Sequence, residues 1–185
     1  MDEIVKQAMA KWPNVPDCYG WLGLDARGHW YMRDDATQAQ GDFAHSKGSR
    51  LLHDGLIAFI GRNYTADDQG RWYFQNGPQR VYVELESTPW IWRIQDDGTI
   101  LSHTGQSVTV QGSLLDELGR VYLHTPLGLG LVHSQDIYAF SRLQEQQPDN
   151  ALWQPREVPA HALPAQFGYV PSPQALNRNE SLNGR

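Results

Sequence analysis

Apolar residues recur along this chain in short alternating runs, broken at close intervals by Asp, Asn and Gly. The clearest stretch is Ala66 to Ile94, ADDQGRWYFQNGPQRVYVELESTPWIWRI. Asp67-Asp68-Gln69-Gly70 has turn chemistry, because Asp accepts local backbone hydrogen bonds and Gly tolerates positive φ. Trp72, Tyr73 and Phe74 are strand formers. Asn76-Gly77 is a strong hairpin signal, and Val81, Val83 and Leu85 then alternate with Tyr82, Glu84 and Glu86. Pro89 interrupts, and Trp90 to Ile94 forms a third strand that stops at Asp96-Asp97-Gly98. Upstream, Tyr19–Leu24 and Trp30–Met32 form a hairpin about a turn at Asp25-Ala26-Arg27-Gly28. Downstream, Ile100–Thr104, Ser107–Val110, Val121–Leu123 and Gly128–His133 read as strands, with Gly128-Leu129-Gly130 as a tight bend.

Three stretches change period. Ile4, Val5, Ala8, Met9 and Trp12 lie near one side of a helix ended by Pro13. Leu52, Leu56, Phe59 and Ile60 make one helical face, with Asp54 near its start. Ile137, Phe140 and Leu143 suggest a further helix after Ser134. Residues 34–48 are polar and small and read as a loop. The fold expected is α+β: a mainly antiparallel, meandering sheet of about eight short strands with two or three helices packed on it. An all-β barrel with helical decoration is the alternative.

Residues 1–144 read as a single domain. Beyond it, Pro148, Pro155, Pro159, Pro164, Pro171 and Pro173 argue against a regular helix or inner strand. Yet Trp153, Leu163, Phe167, Tyr169 and Val170 are apolar. Residues 145–173 therefore read as an extended arm, docked on the domain or on a partner subunit, and 174–185 as a flexible tail.

The 185 residues suffice for one core. A formal net charge of −6 argues against a general grip on nucleic acid. The single cysteine, Cys18, leaves no intrachain disulfide and fits a reducing compartment. The first residues, MDEIVKQAMAKW, lack the pattern of a secretory signal, and no apolar run reaches the length of a membrane span. A cytoplasmic protein is expected, with no membrane or nucleic-acid partner.

The turn phrase repeats. LDARGHWYM, ADDQGRWYF and LDELGRVYL align without gaps on Gly28, Gly70 and Gly119, and QDDGTIL on Gly98 is a looser copy. The spacing is too uneven for a solenoid or propeller. Reuse of one good hairpin and true duplication both account for it. A calcium loop lacks the required bidentate Glu.

Candidate chemistry is sparse. None of the seven His sits three to five residues from another, and there is no Cys cluster, so no metal and no cofactor is expected. His103, His124 and His133 lie near strand ends, where side chains from different strands converge, or are simply solvated there. Cys18 is a nucleophile only if a base lies beside it, and otherwise a structural thiol. No nucleophile elbow, phosphate loop or dinucleotide fingerprint occurs. Arg62 with Tyr64, and Arg80 with Glu84, could line a groove for an anionic or planar ligand. The plainer readings put Arg62 at a helix end and Arg80 in solvent. Trp90 and Trp92 share a strand face that is either core or a binding surface. The ligand-binding candidates are thus Arg62, Tyr64, Arg80, Glu84, Trp90, Trp92, His103 and His133.

The phrases CYGWLGLDARGHWYMRDD, LIAFIGRNY, GRWYFQNGPQRVYVELESTPWIWR and LGLGLVHSQD resemble a family of short hypothetical proteins of proteobacteria, mainly the beta subdivision. The resemblance runs from the first helix to FGYV near position 170. It implies a bacterial, cytoplasmic, single-domain protein and brings no activity, cofactor or site residue. Three functions remain open: a non-catalytic binding or protein-interaction module, a small enzyme where His103, His124 or His133 meets Arg80 or Glu84, and a structural homo-oligomer.

Overall fold

The computed structural model describes residues 1–183 and divides them into two compact units. The first holds Met1–Asp25, His29–Glu86 and the chain from Tyr169 onward. The second holds Ala26–Gly28 and Ser87–Gly168.

The first unit contains α1 (Glu3–Lys11), β1 (Cys18–Leu24), β2 (Trp30–Met32), α2 (Asp35–Ala39), β3 (Ser49–Arg50), α3 (Asp54–Arg62), β4 (Tyr64–Ala66), β5 (Trp72–Asn76) and β6 (Gln79–Leu85), and much later α6 (Pro173–Asn183). Its six strands run in the order β3-β2-β1-β6-β5-β4. Two meanders, β1–β3 and β4–β6, are joined where β1 pairs parallel with β6, Leu22 opposite Val83 and Leu24 opposite Leu85. Leu22, Leu24, Ile60, Phe74 and Val83 are buried between sheet and helix, and Phe59 of α3 meets Phe74 edge to face at 5.5 Å.

The second unit contains β7 (Trp90–Ile94), β8 (Ile100–Ser102), β9 (Ser107–Val108), β10 (Gly112–Leu115), β11 (Val121–Thr125), β12 (Gly128–Val132), α4 (Ile137–Gln146), β13 (Arg156–Glu157) and α5 (Leu163–Phe167). The order is β13-β10-β11-β12-β7-β8-β9. Again two meanders, β7–β9 and β10–β12, are joined by a parallel pair between the first strand of one and the last strand of the other, Leu131 opposite Ile91. The two units thus share one strand plan.

The α+β class is correct, but the expected single, mainly antiparallel sheet with two or three helices is not what forms. There are two mixed sheets, and six α-helices among the described residues. The reason is that hairpins announce themselves through turn residues, whereas the parallel pairs join strands far apart in sequence and carry no local signature. The additional helices are those without an apolar face or with proline. Asp34 caps α2 by accepting from Thr37 N–H at 2.8 Å, inside the stretch read as loop. Pro164 and Pro173 lie in the first turns of α5 and α6, where a missing N–H costs nothing.

Residues 145–168 build into the second unit. Trp153 is buried against Phe140 at 6.1 Å, β13 adds parallel to β10, and Val158 N–H donates to Leu115 carbonyl at 3.0 Å. Gly128–Val132 is a strand rather than a tight bend.

The repeated phrase is one turn, used between β1 and β2, β4 and β5, β7 and β8, and β10 and β11. Gly28, Gly70, Gly98 and Gly119 all have φ between 74° and 83°. In the second copy Gly70 N–H donates to Asp67 carbonyl and Asp67 N–H to Arg71 carbonyl, both at 3.0 Å. This is a three-residue hairpin with a glycine bulge.

Candidate functional site

The acidic residue of the phrase does more than turn the chain. Asp67 Oδ1 accepts from Gln69 N–H and Arg71 N–H, while Oδ2 accepts from Arg71 Nε at 2.7 Å and Tyr82 hydroxyl at 3.0 Å. Asp116 repeats the set with Leu118 and Arg120 N–H, Arg120 Nε at 2.6 Å and Tyr122 hydroxyl at 2.9 Å. In the first copy His29 stands in the arginine's place: Asp25 Oδ2 lies 3.2 Å from His29 Nδ1 and accepts from Tyr31 hydroxyl at 3.3 Å. Burial by itself pushes the Asp67 and Asp116 carboxyls up, but their hydrogen bonds outweigh it and hold both below the usual range. The Asp25–His29 pair could be taken for a catalytic dyad. Its two arginine counterparts mark it as a structural latch. The looser copy at Gly98 has Gln95 at the latch position.

The candidate residues divide between the units. Arg62 ends α3 and pairs with Asp2 at 3.2 Å. Tyr64 is buried, edge-on to Trp30 at 5.2 Å, and burial pushes its phenol up. Arg80 is half-buried over the Tyr73 ring at 5.0 Å. Beside it Tyr82 stacks on Tyr19 at 4.6 Å, and burial raises its phenol to about 12. Arg71 covers the Tyr82 ring at 4.9 Å. These cation–π contacts hold the sheet face together, and Asp67 already pairs with Arg71.

Trp90 and Trp92 share a face and stack at 5.8 Å, but they are 3% and 0% exposed. Their indole N–H groups donate to the carbonyls of Leu127 and Leu123 at 2.8 and 2.9 Å. The surface reading of this pair requires exposure that is not there. β7 lies inside the sheet with both faces covered, so Ile91 and Ile94 are buried as well.

His103, His124 and His133 belong to the second unit, Arg80 and Glu84 to the first. His103 Nδ1 accepts from Ile91 N–H at 3.3 Å, and His133 Nδ1 accepts from Gln135 N–H at 3.1 Å at the cap of a short 3-10 turn. His124 rests on Phe167 at 5.2 Å. Each thus has a local structural task. Among the described residues no three His, Cys, Asp or Glu come together as metal ligands would.

Glu84 is 3% exposed and takes two donors from the chain's end: Ser172 hydroxyl at 2.5 Å and Gln174 N–H at 3.0 Å. Burial pushes its carboxyl up from the ordinary 4.5, against the pull of those bonds and of Arg33 and Arg178. A carboxyl raised on folding adds stability at low pH and loses it as pH rises through the raised value. The stability of the wild type relative to Glu84→Gln should therefore fall as pH climbs from about 4 and level off above the raised value. Urea midpoints of both proteins from pH 4 to 8 check this, and a flat difference would refute it.

Arg33, unremarked in the sequence, is wholly buried and donates to the carbonyls of Ser46, Gly20 and Gly41 at 2.9, 3.2 and 2.7 Å. It ties the 34–48 connection to β1. A lone Arg before two Asp offers no pattern from which that task could be read.

The concavity best suited to a ligand is apolar. A cleft of about 250 Å³ opens on the first unit, walled by Cys18, Trp21, Leu22, Met32, Leu56 and Phe74 among others. It forms because β1 is irregular between Cys18 and Leu22, and because α3 turns Ile60 inward but leaves Leu56 at the rim. Trp21, Met32 and Leu56 are 37%, 44% and 37% exposed, and Leu52 nearby in sequence is 76% exposed. Burial raises the Cys18 thiol, which disfavours the nucleophilic thiolate.

These features define a two-unit α+β protein with an open apolar cleft and latch-braced hairpins. The chain belongs to the DUF2944 family, whose description reads "Protein of unknown function (DUF2946)" and which it matches over residues 1–174. No curated protein matches it. Among solved structures it is similar to a DUF1285 family protein from Silicibacter pomeroyi DSS-3, with 14% identity over 78% of this chain and 84% of that one and a TM-score of 0.47. A DUF1285 family protein from Shewanella baltica OS155 gives 16% identity over 66% and 91%, with a TM-score of 0.44. No helix among the described residues is long and apolar enough to cross a membrane.

Proposed function

We propose that this protein is a non-catalytic interaction module that grips an apolar anchor side chain of a partner protein in the cleft of its first unit. One observation carries the reading: large apolar side chains, Trp21, Met32 and Leu56, stand part-exposed around a concave apolar floor. A cavity of about 150 Å³ is enough for benzene, so about 250 Å³ suits one indole or phenyl group. Asn76, beside the apolar wall, offers the polar contact that would orient such a group. The bacterial, cytoplasmic setting implied by the family resemblance, with neither nucleic acid nor membrane as partner, belongs to the same proposal.

The chain has three methionines, and Met32 alone of them lines the cleft. Titration of methyl-labelled protein with indole should shift the Met32 methyl saturably and leave Met1 and Met9 in place. Leu56→Glu should abolish the shift without lowering the melting temperature, since Leu56 is already part-exposed. Equal shifts at all three methyls, or none at Met32, would overturn the proposal.

A further inference from the structure

The first unit is built up to Glu86, the chain then makes the whole second unit, and only afterwards does it return at Tyr169. The return passes through Gly168, which ends α5 with φ 64° and has nothing within 4 Å of where a Cβ would stand. What returns is bound as an extended peptide is bound. Val170 N–H donates to Gly70 carbonyl at 3.0 Å, and Leu85 N–H donates to Pro171 carbonyl at 2.9 Å. Ser172 and Gln174 then engage the buried Glu84 carboxylate, as described. The Gln174 side-chain amide donates to Gln38 Oε1 at 2.8 Å and lies on the Cα of Gly20, where an added Cβ would come within 2.6 Å of Gln174 Cδ.

Tyr169 is 7% exposed and Pro173 is buried, so side-chain pockets accompany the main-chain bonds. Beyond Gln174 the grip loosens: Ala175 and residues 178–182 are exposed. Main-chain pairing for affinity and pockets for specificity are the two parts of extended-peptide recognition.

We propose that this groove, centred on Gly20, Gln38 and Glu84, also receives the Tyr169–Gln174 segment of a second copy of the chain, so that two copies exchange segments. Groove and segment are complementary independently of the covalent link between them. Every copy carries both, and Gly168 supplies a pivot at the point where the segment begins, which are the conditions for swapping. The segment of the same chain competes through its high effective concentration, so exchange becomes visible when that competitor is disabled. Glu84 and Val81 point to opposite faces of β6, so the inference stands whether or not the apolar cleft binds an anchor.

Two full-length variants with different tags test it. Glu84→Ala breaks the groove and keeps the segment. Ser172→Ala with Gln174→Pro removes both donors to Glu84, so it breaks the segment and keeps the groove. Each alone should be a monomer. Their mixture should give a species of twice the mass that carries both tags, and a labelled peptide of residues 169–183 should bind the segment-broken chain but not the groove-broken one. If Glu84→Ala does not fold, Glu84→Gln with Gln38→Ala replaces it. A mixture that stays monomeric at every concentration overturns the exchange, whether or not the free peptide binds.

Discussion

Asp116→Ala should destabilise the protein by about 2–3 kcal/mol, because it removes a wholly buried carboxylate from the donors that depend on it. The Asp116 side chain is wholly buried, while Arg120 is 40% exposed. Its loss takes the acceptor from the hydroxyl of Tyr122, itself 1% exposed, and from the N–H groups of Leu118 and Arg120. The buried Tyr122 hydroxyl left without an acceptor costs about 1–3 kcal/mol by itself, whereas the N–H of Leu118, a residue 70% exposed, turns to water. Domains are stable by only about 5–15 kcal/mol in all, so the change removes a large share. Urea unfolding at pH 7 measures it.

Asp97 provides the control. It sits in the equivalent turn of the looser copy, is exposed, and accepts from Thr99, whose N–H lies at 2.9 Å. Asp97→Ala should leave the midpoint almost unchanged. Equal losses at both positions would mean that turn formation, not the latch, provides the stability. The Asp116 carboxyl is lowered on folding, so its contribution is present above about pH 3.8 and is lost as pH falls through the lowered value. Asp116→Asn lacks that dependence, and the gap between variant and wild type should narrow in acid.

Gly130→Val should cost at least about 3 kcal/mol, the upper range for overpacking a core. A Cβ at Gly130 would stand 2.8 Å from Trp90 Cβ and closer still to the indole of Trp92. Trp92 is fully buried and tied to the Leu123 carbonyl, so it cannot retreat without breaking that bond. Gly112 is the comparison: it also lies in a strand, but nothing is within 4 Å of its Cβ position. Gly112→Ala should be neutral or stabilising by up to about 1 kcal/mol through the unfolded chain. Thermal melts of the two variants decide it, and a tolerated Gly130→Val would show that Trp90 and Trp92 do not pack on this glycine.

The arm illustrates how far proline content can be trusted. It argued against any regular helix in this stretch, yet α5 and the 11-residue α6 form there, because a proline in a first turn replaces an N–H that has no partner. The segment beyond Pro173 also has more to do than its polar composition implied. Gln174 supplies one of the two donors that reach Glu84, so removal of residues after Pro173 should weaken the dock rather than leave it unchanged.

The candidate residues show a similar division. Arg62, Arg80 and Glu84 stood out as polar groups beside aromatics, and each proved engaged: with Asp2, the Tyr73 ring, and Ser172 with Gln174. What the charges were paired with could not be read, because the partners lie up to 90 residues away. The latches came nearer to being legible. Asp, Gly, a His or Arg and Tyr keep fixed spacing in LDARGHWYM and LDELGRVYL. In ADDQGRWYF the hydroxyl instead comes from Tyr82 on the next strand, which only strand pairing supplies.

Local chemistry in the sequence by itself determined the hairpins at Gly28, Gly70, Gly98 and Gly119, because a positive φ and an acceptor at a turn are requirements met within five residues. It also determined α3 and α4, whose apolar faces repeat at the helical period. Only the tertiary structure decided that there are two mixed sheets, since the parallel closure of β1 on β6 and of β7 on β12 leaves no trace in any turn. Only it decided that Trp90 and Trp92 are core, because a strand covered on both faces loses the alternation from which burial is read. The cleft and the groove for the C-terminal segment are likewise tertiary, for each is a concavity made by residues that meet only once the strands have paired.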